Sequence, residues 1–483
     1  MSGYNYRWEK EFQREKAEEN LKKFIKKYVA KYSPFYKKWF DENSIIPANI
    51  KNISDIQKIP SITKEHHIKD PSSFIMLPYM PEWWECINET EHLSQFDIFK
   101  YWLKSLNKLY LREVFGKEPL TYKERIIIEA VNDWLPAHFH NTGSSSEPLL
   151  ITYTKRDLSK NIPEIAAQIY TTGFKSNWEV FNLIPASPTI NFFQSVWTPL
   201  TVGGGTFFSC GEEMTTIDSQ ISLANKITFE VFLGTPSYIT YWLTKAKEKL
   251  EQKKISEIKS IKLCILAGEF LSKEHKIQIK SLFESIGSSP QIIESYSNNR
   301  AKVSFIECSE NSGIHLNPRY FNWEILNPKT LEPCEDEGYL CFSHIDWRGT
   351  VFLRFNTGDL IQGLEWKTCE HCGLTLPTIK GPIVRSQDDY FTLKKRKISK
   401  FTLENSIKSI LGIRLFQLII STNKIVVYAD LDEKKKEKII QELSEKIENI
   451  TGIIPTIIVE SLDTIREKLF SRGILKAEYI IIK

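Results

Sequence analysis

The chain has 483 residues, of which 41% are hydrophobic and 26% are charged. This composition is ordinary for a globular protein, and the length is enough for more than one domain with a large buried core. The 64 basic and 60 acidic residues leave a net charge of +4, which argues against nucleic-acid binding as the main function.

The N-terminal stretch MSGYNYRWEKEFQREK has no apolar core of the kind that a signal peptide needs. The longest apolar runs are strand-sized and too short for a membrane span. Eight cysteines in a chain of this length do not suggest a disulfide framework. We therefore expect a cytoplasmic protein without a membrane span, whose cysteines are buried thiols or metal ligands.

The predicted elements change in character along the chain. Residues 9–32 space apolar side chains among lysines and glutamates, as an amphipathic helix does, and residues 74–133 form an aromatic-rich, mostly helical insertion. From residue 151 to about 381, short apolar runs alternate with helical patterns, as in KLCILAG followed by LSKEHKIQIKSLFESIG. This alternation predicts an α/β fold with layered sheets and helices in a large N-terminal domain.

After Asp388 the pattern changes again. A basic run, KKRK, leads into a helix, a strand pair, a long charged helix over 433–449 and a further strand-like run. This order predicts a small α+β domain joined through an exposed polar linker. The predicted domains are residues 1–387 and 388–483.

The stretch FHNTGSSSEP, residues 139–148, precedes a strand-like run and is rich in groups that can hold phosphate. Its glycine would let backbone N–H groups approach an anion closely, and its hydroxyl side chains are donors. By itself such a string is more typical of a hydrophilic turn. A phosphate loop usually has a second glycine and a lysine where this chain has Ser146 and Glu147. The candidate phosphate ligands are Thr142, Gly143, Ser144, Ser145 and Ser146.

Further motifs follow in order downstream. In RFNTGDL, Asp359 follows a strand-like run, where its carboxylate can bind the hydroxyl groups of a ribose. In VRSQDD, Arg385 can meet a phosphate or a carboxylate. Between the loop and these motifs lie GTPSY at 234–238 and AGE at 267–269.

Taken together and in this order, the motifs resemble those of the adenylate-forming superfamily of acyl-CoA synthetases (ANL superfamily), and specifically its phenylacetate-CoA ligase branch. The resemblance extends from SPFYKKWF at 33–40 to SRGILKAE at 471–478. It implies that ATP, with Mg²⁺, and a carboxylic acid form an acyl-adenylate and pyrophosphate. The thiol of CoA or of a carrier protein then takes the acyl group. The sequence does not determine the oligomeric state, for which a homodimer is one option.

The resemblance also implies roles for individual residues. Lys476 would reach the reacting carboxylate in the first step. The small, mobile C-terminal domain would then rotate about a hinge at Asp388 and Asp389 and remove Lys476. Beyond the loop, the implied nucleotide-binding residues are Gly268, Glu269, Tyr296, Asp359 and Arg385. The residues in segments that border the acyl pocket of relatives are Phe192, Phe193, Trp197, Pro236 and Tyr238.

One position departs from the family pattern. Arg300 stands where relatives have a glutamate that binds the magnesium of ATP. An arginine cannot ligate Mg²⁺, although it can pair with a phosphate, so Arg300 joins Lys476 as a candidate catalytic residue. Two alternatives stay open: acyl transfer from the adenylate to an amine or a protein acceptor, and a degenerate family member that binds a ligand or partner without adenylation.

A second constellation points to a metal. TCEHCG places Cys369 and Cys372 two residues apart, a spacing that suits one tetrahedral zinc ion. Some members of the phenylacetate-CoA ligase branch bind structural zinc with a further cysteine and histidine, which here would be Cys308 and His315. His371 is the rival for His315, but it lies between the two cysteines, where a side chain tends to point away from a shared metal.

Overall fold

The structure is a computed structural model that describes residues 4–76, 94–116, 118–142, 148–185, 190–208, 215–385, 390–422, 424–471 and 477–483. The α-helices of these residues are Lys10–Phe24, Ala30–Tyr32, Pro34–Glu42, Ile53–Gln57, Lys64–Lys69, Gln95–Ser105, Leu111–Phe115, Tyr122–Trp134, Ile162–Ala166, Ile190–Thr201, Ile217–Ala224, Pro236–Glu251, Lys273–Ser285, Lys400–Lys408, Lys436–Thr451 and Leu462–Leu469. Among the described residues, no helix combines the length and apolar character needed to cross a bilayer.

The strands of the described residues fall into five sheets. In chain order they are β1 Pro136–Thr142, β2 Pro148–Thr154, β3 Glu179–Asn182, β4 Gly205–Phe208, β5 Val231–Gly234, β6 Leu263–Ala267, β7 Gln291–Asn298, β8 Val303–Ile306, β9 Ile314–His315, β10 Phe321–Leu326, β11 Pro333–Cys334, β12 Gly338–His344, β13 Phe355–Ile361, β14 Leu364–Thr368, β15 Thr375–Ile379, β16 Val384–Arg385, β17 Tyr390–Leu393, β18 Arg396–Ser399, β19 Ile413–Ser421, β20 Lys424–Leu431, β21 Thr456–Val459 and β22 Ile480–Ile482.

The sheets are a nine-stranded one in the order β14-β15-β9-β8-β7-β6-β5-β3-β4, a five-stranded one in the order β11-β10-β12-β13-β16, and a four-stranded one in the order β21-β20-β19-β22. The pairs β1-β2 and β17-β18 are separate hairpins.

The nine-stranded sheet positions the candidate site. Its strands β3, β5, β6 and β7 are parallel. The apolar sequence of β6, LCILA, is the composition expected of a strand that is buried on both faces of such a sheet. After β6 the chain turns at Gly268, whose φ is +85°, and Ser272 then caps the helix Lys273–Ser285. Parallel strands end at a common edge, so this order brings the motifs that follow β5 and β6 close to the end of β7.

The elements after residue 390 form the small four-stranded sheet with helices Lys400–Lys408, Lys436–Thr451 and Leu462–Leu469. They pack on the helix Pro236–Glu251 of the preceding part. The Tyr238 and Phe470 rings are 6.1 Å apart, and the Tyr241 hydroxyl donates to Asp463 at 3.0 Å. The predicted boundary at 387–388 falls outside the described residues and stays a prediction.

The described part of the predicted insertion contains the helices Gln95–Ser105, Leu111–Phe115 and Tyr122–Trp134. Helices Gln95–Ser105 and Tyr122–Trp134 pack through Tyr101, Ile126 and Ala130. Lysines of the first helix region meet carboxylates of the second, as in the Lys104–Asp133 pair at 2.6 Å. These contacts hold the helices against each other.

Candidate functional site

The predicted ribose-binding carboxylate lies between the two large sheets. The Tyr296 hydroxyl, on β7, donates to Oδ2 of Asp359, on β13, at 2.7 Å. Asp359 is buried, and its backbone pairs with that of Arg385 across β13 and β16. The neighbouring Gly358 has a φ of +74°, which favours glycine. Three residues predicted to bind the nucleotide thus come together although they are far apart in sequence.

The GTPSY and AGE motifs also meet. Glu269 accepts hydrogen bonds from the backbone N–H of Ser237 at 3.1 Å and from its hydroxyl at 2.5 Å. Burial raises the pKa of the Glu269 carboxyl, and the nearby Lys408 ammonium opposes this shift. Glu269 is therefore held by its partners at the end of β6.

The C-terminal part contributes a lysine to this region. Lys408 has a side chain that is only 3% exposed, and its Nζ pairs with Oε1 of Glu404 at 2.7 Å. The same ammonium donates to the carbonyl of Phe270 at 3.3 Å and lies 4.0 Å from the centre of the Tyr479 ring. The C-terminal elements thus border the AGE motif, a contact that no local sequence pattern indicated.

Arg300 is held by the N-terminal region. Its Nε donates to Nδ1 of His67 at 3.3 Å, and its guanidinium carbon lies 5.3 Å from the centre of the Phe355 ring. His67 is buried on the helix Lys64–Lys69. Burial and the Arg300 charge hold the pKa of His67 well below its usual range, so the imidazole is neutral. Sequence reasoning missed His67: its motif, TKEHHIKD, resembled the family signature but carried no assigned role.

The two acids nearest to Arg300 in the motif sequence face another cation. The Lys276 Nζ lies 3.6 Å from Glu307 and 4.0 Å from Glu294. The Glu294 backbone N–H also donates to Oε2 of Glu307 at 3.0 Å. Lys276 is thus the cation that these two carboxylates face.

Glu294 should make the protein's stability depend on pH. Burial and the neighbouring Glu307 raise the pKa of Glu294 to about 7, so the folded state binds this proton more tightly than the unfolded state. The stabilising contribution is present below the unfolded pKa of about 4.3 and is lost as the pH rises through about 7. Because the side chain is 38% exposed, we expect only about 1–2 kcal/mol.

Urea denaturation of the wild type and of Glu294→Gln between pH 4.5 and 7.5 measures this effect. The difference in unfolding free energy between the two proteins should change across this range, with the wild type losing relative stability as the pH rises. A constant difference would contradict the assignment.

The predicted acyl-pocket residues separate into two groups. Phe193 stacks on Trp197 at 5.9 Å between ring centres and lies 4.7 Å from Phe139 on β1, and Phe192 precedes it on the same helix. Pro236 and Tyr238 instead begin the helix Pro236–Glu251, where both are buried. The Tyr238 hydroxyl donates to Gln220 at 3.2 Å. Its ring is thus part of the packed core, whereas the Phe193 group lies beside the hairpin that flanks the predicted phosphate loop.

Several predicted residues cannot be placed. Gly143, Ser144, Ser145 and Ser146 of the loop, the hinge residues Asp388 and Asp389, and Lys476 lie outside the described residues. Only the backbone of Thr142 and of Arg385 is described. The hairpin β1–β2 pairs Thr142 with Pro148, so the loop connects two antiparallel strands.

The four predicted metal ligands come together. One donor atom from each of Cys308, His315, Cys369 and Cys372 lies within 4.8 Å of the others. The Sγ atoms of Cys308 and Cys369 are 3.7 Å apart, and Sγ of Cys372 is 3.6 Å from Nε2 of His315. A tetrahedron with zinc–ligand bonds of about 2.0–2.3 Å has edges of roughly 3.5–3.8 Å. His371 is exposed and does not belong to the cluster.

The hydrogen bonds of His315 orient it as a ligand. Its Nδ1 lies 3.0 Å from the Thr378 hydroxyl, which donates to the Leu376 carbonyl at 3.1 Å. The Thr378 hydroxyl proton is used in the bond to Leu376, so the hydroxyl oxygen accepts a hydrogen bond from Nδ1–H of His315. Nε2 is then unprotonated, and its lone pair faces the cysteines. The donor set and its support therefore fit a tetrahedral metal ion.

Comparison with known proteins gives both sequence and structural neighbours. No family model matches the chain. A phenylacetate-coenzyme A ligase of Thermus thermophilus is 22% identical over 427 residues, which cover 86% of this chain and 80% of that protein. A crystal structure of 2-hydroxyisobutyryl-CoA ligase in the postadenylation state matches with a TM-score of 0.71 at 14% identity, over 98% of this chain and 90% of that one.

The same ligase in the thioesterification state, with 2-HIB-AMP and CoA, matches with a TM-score of 0.55 at 14% identity, again over 98% of this chain and 90% of that one. The score is thus higher for the postadenylation structure. These matches confirm the predicted α/β fold class.

Proposed function

We propose that this chain, whose fold and motif order fit the adenylate-forming (ANL) superfamily, activates a carboxylic acid with ATP and transfers the acyl group to a thiol of CoA or of a carrier protein. The resemblance drawn from the sequence is confirmed by the match to a phenylacetate-coenzyme A ligase and by the shared fold. The observation that carries the proposal is the Tyr296–Asp359 hydrogen bond at 2.7 Å. This bond supports the proposal because it joins the carboxylate that we assign to the ribose hydroxyls to the aromatic ring that we assign to adenine stacking.

In the proposed reaction the acid's carboxylate attacks the α-phosphate of ATP and displaces pyrophosphate. Negative charge builds up at phosphorus, so fixed donors and a cation are required. We assign the cation of the first step to Lys476 and the orientation of the nucleotide to Asp359. The C-terminal part would then rotate about residues 388–389 and open the path for the thiol. The Phe193–Trp197 group beside β1 is the proposed border of the acyl pocket.

We assign zinc to the Cys308–His315–Cys369–Cys372 cluster. Four protein ligands complete a tetrahedron and leave no open position, so a bound zinc ion would be structural. It would tie the β14–β15 hairpin to the chain around β8 and β9. The usual magnesium position does not fit a divalent cation here, because Arg300 replaces the acid and Glu294 and Glu307 face Lys276.

Two alternatives remain open from the sequence: transfer of the acyl group from the adenylate to an amine or protein acceptor, and a non-adenylating family member that binds a ligand or a partner. Arg300 and Ser146 favour the second alternative. The paired Tyr296 and Asp359 oppose it, because we assign this carboxylate to the ribose of the ATP that adenylation uses.

ATP–pyrophosphate exchange with a panel of aromatic, fatty and amino acids tests the proposal. We expect exchange with at least one acid, and a decrease of about 100-fold in Asp359→Ala because the nucleotide loses its orienting group. Asp218→Ala, which removes an exposed carboxylate paired with Lys249, is the control and should leave exchange unchanged. No exchange with any acid, together with no ATP binding by calorimetry, would support the non-adenylating alternative instead.

A further inference from the structure

Arg300 lies close to the proposed nucleotide site. It follows β7 by two residues, and Tyr296 of the same strand bonds Asp359. Its guanidinium lies over Phe355, which begins β13, the strand that also carries Asp359. Four residues of extended chain span at most about 13 Å. The Arg300 side chain is therefore within reach of a polyphosphate whose ribose is held at Asp359.

The Arg300 side chain is oriented by a rigid partner. The His67 ring sits edge-on between Phe74, at 5.1 Å, and Phe352, at 4.9 Å between ring centres, with interplanar angles of 87° and 89°. A neutral imidazole has one acceptor nitrogen, and here Nδ1 accepts the Arg300 Nε–H. Because His67 cannot turn without disturbing this packing, it fixes the plane of the guanidinium.

The charges around Arg300 fit an anion better than a metal ion. Mg²⁺ needs oxygen ligands, and a guanidinium next to a dication is repulsive. Among the described residues, Glu294 and Glu307 face Lys276, at 4.0 and 3.6 Å from its Nζ. Burial raises the pKa of the exposed Glu65, but the hydrogen bond that the Thr63 hydroxyl donates to it, with smaller contributions from the Lys64 and Arg300 charges, lowers that pKa overall. Hydrogen bonding with the Leu150 backbone, near the start of β2, partly opposes the fall in the pKa of His67. His67 and Arg300 therefore lie beside the strand that follows the predicted phosphate loop.

We infer that Arg300, positioned by His67, binds the β- and γ-phosphates of ATP directly and supplies the charge that a carboxylate-bound Mg²⁺ supplies elsewhere. This inference rests on the proposed function and deepens it. A fixed guanidinium offers a planar fork of donors that suits phosphate oxygens. ATP binding by this protein should therefore need Mg²⁺ far less than binding through a carboxylate-held metal does.

Calorimetry with ATP and with AMP, each in EDTA and in Mg²⁺, tests the inference on the full chain. For the wild type we expect ATP affinity to change less than about threefold between EDTA and Mg²⁺. Arg300→Ala should weaken ATP binding in EDTA by about 10- to 100-fold, the value of a charge-assisted hydrogen bond, and AMP binding by less than about threefold. In Arg300→Glu, ATP binding should be lost in EDTA and partly restored by Mg²⁺, which the new carboxylate can hold.

His67 is tested as a positioning residue with two variants. His67→Phe keeps a ring but removes the acceptor, and should weaken ATP binding without affecting AMP binding. His67→Gln restores an acceptor and should recover most of the ATP affinity. A variant that merely perturbed the fold would weaken both nucleotides and would not be rescued. Arg112→Ala, which removes an exposed arginine in the insertion, is the control and should bind both nucleotides as the wild type does.

The outcomes separate this inference from the proposed function. Exchange activity with unchanged ATP affinity in Arg300→Ala would overturn the role of Arg300 and leave the ligase function standing. Arg300-dependent ATP binding without exchange would support the phosphate site and contradict the ligase function. A wild type that binds ATP only with Mg²⁺, or not at all, would overturn the inference.

Discussion

Replacing Lys302 with methionine is expected to lower the free energy of unfolding by about 3–5 kcal/mol. Lys302 is fully buried, and its Nζ pairs with Oδ2 of Asp157, also fully buried, at 3.0 Å. The same ammonium donates to the carbonyls of Arg348 at 2.6 Å and Thr350 at 3.3 Å. Methionine fills a similar volume but leaves a buried carboxylate and two carbonyls without this donor, so the loss is electrostatic rather than a loss of packing.

Urea denaturation of the two proteins at pH 7 measures the difference. Lys367→Met is the matched control: Lys367 pairs with Glu365 on the surface, where both side chains are more than a third exposed, and we expect a change within about 0.5 kcal/mol. The double variant Lys302→Met/Asp157→Asn should lose less unfolding free energy than the two single variants lose together, because Asp157→Asn removes the charge that Lys302→Met leaves unpaired. A loss below about 1 kcal/mol in Lys302→Met would contradict the assignment.

The regular elements of the fold were largely predictable from the sequence because their patterns are local. KLCILAG predicted a buried strand, and the structure has β6 at Leu263–Ala267. The helical pattern after it, over residues 271–287, corresponds to the helix Lys273–Ser285. Its start is set by Ser272, whose side chain caps the backbone of His275, a signal that is read from residue type and spacing alone.

The basic run KKRK was predicted to lead into a helix, and the helix Lys400–Lys408 follows it. The sequence did not indicate that the run itself forms the turn and part of the second strand of the hairpin β17–β18. Lys394 and Lys395 adopt positive φ values of 47° and 65° in that turn. Lysine rarely takes this conformation, so the residue types gave no sign of a turn.

The contacts that sequence reasoning missed, in the site and in the core, join distant segments. His67 and Arg300 are 233 positions apart, and Lys302 and Asp157 are 145 apart. Neither pair shares a helix face or a strand, so no periodicity links its members. The contact of Lys408 with the Phe270 carbonyl likewise arises only when the C-terminal helix packs beside the AGE motif. Such pairings follow from the tertiary arrangement.

The cluster of Cys308, His315, Cys369 and Cys372 was predictable in part. The Cys-x-x-Cys spacing of Cys369 and Cys372 is local, and it falls in the turn between β14 and β15. His315 reaches the cluster because β9 pairs with β15, with His315 opposite Thr378. That pairing also supplies the hydroxyl that orients the imidazole. The sequence alone therefore predicted two ligands, and family resemblance was needed to select the other two.

Protein purified without added metal is expected to carry about one zinc ion per chain, and Cys372→Ser should lose it. In Cys372→Ser without the ion, the two remaining thiols and the imidazole would have no metal to bind. The β14–β15 hairpin would then no longer be linked through the metal to Cys308 and His315. We expect the free energy of unfolding to fall by about 3 kcal/mol or more. Mass spectrometry under native conditions gives the metal content, and urea denaturation gives the stability.

The histidine between the two cysteines supplies the matched control. Because His371 is exposed and outside the cluster, His371→Ala should keep both the zinc and the stability, whereas His315→Ala should lose both. Loss of zinc in His371→Ala but not in His315→Ala would reverse the ligand assignment. Less than half an equivalent of zinc in the wild type, or a Cys372→Ser protein with unchanged zinc and stability, would show that the cluster is a group of buried thiols. If the zinc is present, its loss should alter exchange activity only through the stability of the fold, since all four ligand positions are taken by the protein and none is left for a substrate.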